Sequence, residues 1–193
     1  MPLPVNAQPI PITYREVQDH CGPAVVRAII RYRLGRDVPE LELVEQLKPT
    51  PEEGTAPDSI IRVLGHDYGL PTRLVERASL EDLRSVLERG ASAILNLQAW
   101  AEPTTGEVAW QDRWDDGHYV VLVGLDETHL YVMDPSIGHA YGYLPLNEFE
   151  VRWHDQRLLE DGTERRYLQS FFQITGGNPQ ALSTPTQVVV AIE

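Results

Sequence analysis

Near Gly90 the apolar residues of this chain change their spacing, from helical steps to strand-like runs. Val25, Ala28, Ile29 and Tyr32, with Arg27 and Arg31 on the opposite side, predict a helix over 21–33. Pro23 sits just inside its start and Gly35 is its stop. A second helix fits 40–47, entered at Pro39 and closed by Pro49 and Pro51. A third spans 55–68, with Pro57 near its start and Gly69 at its end. After a short strand over 72–76, Ser79-x-x-Asp82 reads as a variant capping box. It opens a helix carrying Leu80, Leu83, Val86 and Leu87 that stops at Gly90. Beyond Gly90, residues 91–99 form a short apolar run that fits a buried strand, and 118–125 are apolar on both faces, as in a central strand. Asp126-Glu127-Thr128 is a turn, 129–133 its return strand, 141–144 a further strand and 146–153 a short helix. Residues 157–159 and 166–174 fit a last hairpin across 160–162. Helices first and antiparallel strands second make an α+β fold class. With no repeat or breaking linker, residues 1–175 read as a single domain and 176–193 as a C-terminal tail, with Gly176-Gly177 as a turn.

Charge and composition exclude several function classes. Lys and Arg number 16 against 29 Asp and Glu, a formal charge of −13, which argues against nucleic acid or an anionic membrane as partner. One cysteine rules out an internal disulfide and a Cys-rich zinc site. His118, Asp134 and His154 lack the spacing of metal ligands, so neither metal nor cofactor is expected. No apolar run reaches the roughly 18 residues of a membrane helix. The proline-punctuated first twelve residues lack the basic and apolar regions of a signal peptide, so a cytoplasmic location without membrane insertion is expected. Oligomeric state is left open.

The single cysteine, Cys21, falls in the first turn of the first predicted helix, where the helix dipole and backbone N–H groups favour a thiolate. The competing reading of a lone cysteine is a buried small hydrophobe. Nucleophilic catalysis by a thiol also needs a base and a group that orients the base. His118 opens the central strand and Asp134 ends its neighbour. With the turn centred near residue 127, residue n lies opposite about 254 − n, which brings Asp134 within about two residues of facing His118. His20 reads as a loop-packing residue, Asp19 as the helix N-cap, and Asp115 and Asp116 as solvated. The long polar loop over 100–117 holds Trp100, Trp110 and Trp114, which more often pack such a loop down than line a groove. The same loop is the expected substrate-side wall.

Gln18-Asp19-His20-Cys21-Gly22-Pro23-Ala24, then Asp116-Gly117-His118-Tyr119-Val120-Val121-Leu122-Val123-Gly124, then Tyr131-Val132-Met133-Asp134-Pro135 together resemble the C39-like branch of the papain-like cysteine peptidases. The resemblance implies a papain-like fold, with an N-terminal helical lobe packed on a C-terminal antiparallel β-sheet. It implies Cys21 as nucleophile, His118 as general base and acid, and Asp134 as the orienting carboxylate. Relatives in this family trim double-glycine leader peptides while fused to membrane transporters; no transporter follows here, so a stand-alone soluble member is expected. The family's oxyanion glutamine lies five or six residues before the cysteine, where this chain has Glu16 and Arg15. The nearby glutamine is Gln18, so either Gln18 takes that role, or the Cys21 N–H works with another donor, or the oxyanion hole is impaired. The function implied is a cysteine peptidase or related thiol amidohydrolase acting on a peptide or protein substrate through an acyl-enzyme. The alternative is a catalytically impaired peptide-binding module.

Overall fold

A computed structural model describes residues 2–17, 20–100, 108–159, 161–180 and 189–192. The helical half holds α1 (Cys21–Leu34), α2 (Glu40–Leu47), α3 (Pro57–Arg62) and α4 (Leu80–Glu88). Gly35 ends α1 in the left-handed conformation at φ 65°, and its N–H bonds the Arg31 carbonyl, as a glycine stop should. The capping box at Ser79 forms in full: the Ser79 hydroxyl accepts from the Asp82 N–H and the Asp82 carboxylate accepts from the Ser79 N–H. The third helix is shorter than its apolar pattern predicts. After α3 the turn widens over Val63–Asp67, and the Tyr68 N–H bonds the Val63 carbonyl five residues back.

The strands are β1 (Thr72–Val75), β2 (Ser92–Gln98), β3 (Gly117–Leu125), β4 (His129–Met133), β5 (Tyr141–Pro145), β6 (His154–Leu158), β7 (Glu164–Leu168), β8 (Phe171–Ile174) and β9 (Val189–Ala191). A helix α5 (Leu146–Arg152) follows β5. Seven strands form one sheet in the order β1-β8-β2-β3-β4-β5-β9, antiparallel except for the β5–β9 pair. Near the centre, β3 is buried on both faces, which is why it lacks a polar alternation. Val121 and Val123 pack with Val25, Ile29 and Ile30 of α1. Val120 and Leu122 pack with Leu83 and Val86 of α4 and with Phe149 of α5. The sheet is therefore covered on both sides. Pairing of Val121 with Met133 and of Leu122 with Val132 reproduces the register inferred from the turn, and a bulge follows at Val123.

Two stretches differ from the sequence reading. Residues 166–174 are two strands in two sheets: β7 pairs β6 in a separate hairpin, while β8 enters the large sheet between β1 and β2. The break is at Gln169, which takes φ 43° without being glycine and donates its N–H to the Trp153 carbonyl. Within the stretch read as a tail, β9 extends the edge of the sheet beside β5. Upstream of it, the Asn178 and Gln180 N–H groups bond the Arg33 and Tyr32 carbonyls at the end of α1.

Candidate active site

Cys21 is the first residue of α1 and is 8% exposed, at the floor of a cleft of about 360 Å³. Gly22 lets the helix start approach the opposite loop, because a Cβ there would lie 2.2 Å from the Thr55 hydroxyl. His20, not Asp19, holds the capping position, and its side chain makes no capping bond. Its Nδ1 instead pairs with the buried Glu40 carboxylate at 2.8 Å. The same carboxylate accepts from the Glu16 N–H at 3.2 Å, so α2 braces the chain leading into Cys21. Asp19 and Gln18 lie outside the described residues.

His118 and Asp134 come together as the hairpin register requires. The His118 Nε2–H donates to the Asp134 carboxylate at 2.8 Å, with both side chains buried. The Ser136 N–H donates to the same oxygen at 2.7 Å and holds the carboxylate in place. With Nε2 engaged, Nδ1 is the ring nitrogen left for the thiol. It is buried and has no hydrogen-bond partner among the described residues. The Cys21 thiol and the His118 ring lie near enough for each to shift the other's titration. The fold thus brings Cys21, His118 and Asp134 to one place, with the His118–Asp134 bond formed.

The electrostatics follow from that arrangement. Burial pushes the Cys21 thiol up, but the hydrogen bond and charge of His118, the Tyr119 backbone and the Arg15 guanidinium bring it below its ordinary value. Burial pushes His118 down, yet the Asp134 charge and hydrogen bond, with Cys21, raise it to about 9. Asp134 is raised by burial and lowered further by His118 and Ser136, so it stays below the usual carboxylate value. A lowered thiol beside a raised imidazole is the direction that favours a thiolate next to an imidazolium.

The tryptophans divide their roles. Trp110 is buried under the Arg152 guanidinium at 4.0 Å and packs the loop down. Trp100 and Trp114 line the cleft beside Cys21, while residues 101–107 of the same loop lie outside the described residues. The Trp100 ring lies 4.5 Å from the His118 ring, and the Arg15 guanidinium lies 4.7 Å from Trp100 on its own account. Asp115 and Asp116 also line the cleft, and Asp116 pairs with Arg113 at 2.8 Å. His154 does not join His118 and Asp134; its Nε2 bonds the Arg113 carbonyl and its ring packs on Trp114. Among the described residues no group of three His, Cys, Asp or Glu side chains is arranged to hold a metal ion.

Sequence reasoning did not single out Glu40 or Asp155, and named Trp100 only with the other tryptophans of its loop. Asp155 lies beneath Gly117, accepts from Asn96 at 2.6 Å, and is raised by burial to about 6. Nothing in the spacing of Glu40 or Asp155 marks them, since each meets its partners only through the fold. Trp100 carried a signal in its place beside the end of β2, which pairs with the start of β3 where His118 lies.

Comparison with known proteins agrees with the geometry. A search of curated proteins found no match. Among solved structures, a candidate C39-like peptidase from Bacillus anthracis is 14% identical with a TM-score of 0.61, over 88% of this chain and 96% of that one. The peptidase domain of Streptococcus ComA, a bi-functional ABC transporter of a quorum-sensing pathway, is 18% identical with a TM-score of 0.59, over 89% of this chain and 99% of that one. A double-glycine-motif protease of an AMS/PCAT transporter, solved with its leader peptide, is 16% identical with a TM-score of 0.57, over 93% and 98%. These similarities identify the fold as that of C39 peptidase domains, papain-like in architecture. The profile of the Peptidase C39 family matches residues 9–164, most of the chain and all three motifs, and the chain belongs to that family.

Proposed function

We propose that this chain is a cysteine peptidase or related thiol amidohydrolase that cleaves a peptide or amide bond through an acyl-enzyme. The observation that carries the reading is the buried His118–Asp134 pair, which commits Nε2 to the carboxylate and leaves Nδ1 for Cys21. Cys21 attacks the substrate carbonyl as a thiolate, and the carbonyl electron pair moves to oxygen. His118, already protonated, gives its proton to the leaving amine as the C–N bond breaks. Asp134 fixes the ring and stabilises the imidazolium. Water, activated by the now neutral His118, then hydrolyses the thioester. Another nucleophile in place of water would make the same site a transferase.

The substrate class is a peptide or protein segment laid in the cleft, in keeping with the leader peptide bound by one of the solved relatives. Among the described residues no helix is long and apolar enough to cross a membrane, which fits action outside the bilayer. Residues 1–175 serve as one catalytic domain in this reading.

The test is the pH dependence of iodoacetamide alkylation, for which a single cysteine gives a single signal. The midpoint is expected well below the ordinary thiol value of about 8.5 and should rise toward it in His118→Gln. A midpoint near the ordinary value in the unaltered protein, or one unmoved by His118→Gln, would remove the ion pair and favour the impaired peptide-binding module.

A further inference from the structure

The reaction proposed above places negative charge on the former carbonyl oxygen, and a donor must meet it. The Cys21 backbone N–H, in the first turn of α1, is one. A second has to come from a side chain at the cleft wall. Arg15 lines the cleft with Cys21 and lies six residues before it in the chain.

Its position is fixed from three directions. The Arg15 N–H bonds the Pro135 carbonyl at 3.0 Å, directly after Asp134. The next N–H, that of Glu16, is held by the buried Glu40 carboxylate. The guanidinium lies over Trp100, whose ring in turn packs on His118. Trp100 is held at φ 52°, a left-handed conformation that bulky residues keep only where the surroundings impose it. A guanidinium held against Trp100 on a backbone pinned at Arg15 and Glu16 needs less reorganisation when charge develops, which is the condition for electrostatic stabilisation of a transition state. A guanidinium also carries five N–H donors and a permanent positive charge, whereas glutamate at the adjoining position could only accept.

We propose that the Arg15 guanidinium is the side-chain oxyanion donor of this enzyme, taking the place of a neutral amide. The inference rests on the peptidase reading. In the step concerned, the Cys21 Sγ–carbon bond forms and the carbonyl π pair becomes the oxyanion, held by the Cys21 N–H and Arg15. The oxyanion then collapses, the leaving group departs with the bonding pair, and the thioester remains.

Two reactions of the same thiol separate this role from a purely structural one. Acylation by p-nitrophenyl acetate passes through an oxyanion; alkylation by iodoacetamide does not. Both are measured at pH values where the alkylation rate has reached its plateau, so that altered thiolate content cancels. Arg15→Met should slow the p-nitrophenolate burst by about 10²–10³ while alkylation changes less than about threefold. Arg15→Gln, which restores an N–H donor without the charge, should recover at least about tenfold of that loss. Equal losses in acylation and alkylation, no recovery by Gln, or a burst that falls in Gln18→Ala and not in Arg15→Met would each overturn the assignment. An unaltered protein with neither a burst nor a lowered alkylation midpoint would instead overturn the peptidase reading, and this inference with it.

Discussion

Two helices in this chain begin in opposite ways. At α4 the start is sealed: Ser79 and Asp82 bond each other's backbone N–H groups, and Glu81 and Asp82 place negative charge against the positive end of the helix. At α1 the capping residue His20 turns its ring away to Glu40, and the first turn, Cys21 to Ala24, holds no acidic residue. The helices α2, α3 and α5 each carry a carboxylate in the first turn. In a chain with 29 acidic residues, a first turn without one leaves the helix field unopposed there, which favours a thiolate at Cys21 in the proposed mechanism. The difference teaches that a helix start can be made for stability or for chemistry, and that each use excludes the other's side chains.

Substitutions at the two starts should therefore dissociate. Cys21→Ala keeps a good helix former in the first turn, so peptide hydrolysis should fall by about 10⁴-fold or more with an unchanged melting temperature. Asp134→Asn should come next, lowering the rate by about 10²–10⁴-fold. The sign of its pH effect follows from His118. In the proposed mechanism the thiolate–imidazolium pair forms above the lowered Cys21 value and is lost as pH rises through the His118 value of about 9. Removing the Asp134 charge lets His118 titrate lower, so the alkaline limb of the rate profile should move down from about 9. An alkaline limb that stays put would mean that Asp134 does not set it. The smallest effect should be at the other helix. Ser79→Ala should cost about 0.5–2 kcal/mol, a few degrees in melting temperature, and leave hydrolysis within about twofold. A loss of activity there would erase the contrast between the starts.

Much of this was legible in the residues because the signals are local. Proline, glycine and the Ser79 box punctuate α1, α2 and α4, and the Asp126–Thr128 turn fixed the register that joins His118 to Asp134. What could not be read is non-local or unmarked. The strand break at Gln169 takes a left-handed conformation with no glycine to announce it, so β7 and β8 looked like one strand. Arg15 stood out only as a departure from a family pattern, and its bracing by Pro135, Glu40 and Trp100 joins segments far apart in the chain. The N-cap was misassigned to Asp19 because Asp is the better capping residue by preference, and His20 occupies the position through its bond to Glu40.

The hairpin that joins His118 to Asp134 has a consequence for the life of the chain. Base and carboxylate are sixteen residues apart and meet across one tight turn, so they can pair while the rest of the polypeptide is still unfolded. The cysteine belongs to a helix from the other end of the domain and reaches them only when that helix docks on the sheet. In an unfolded chain Cys21 is therefore held near neither of them. If the proposed reading holds, the reactive site exists only in the folded domain, and a partly folded chain lacks it.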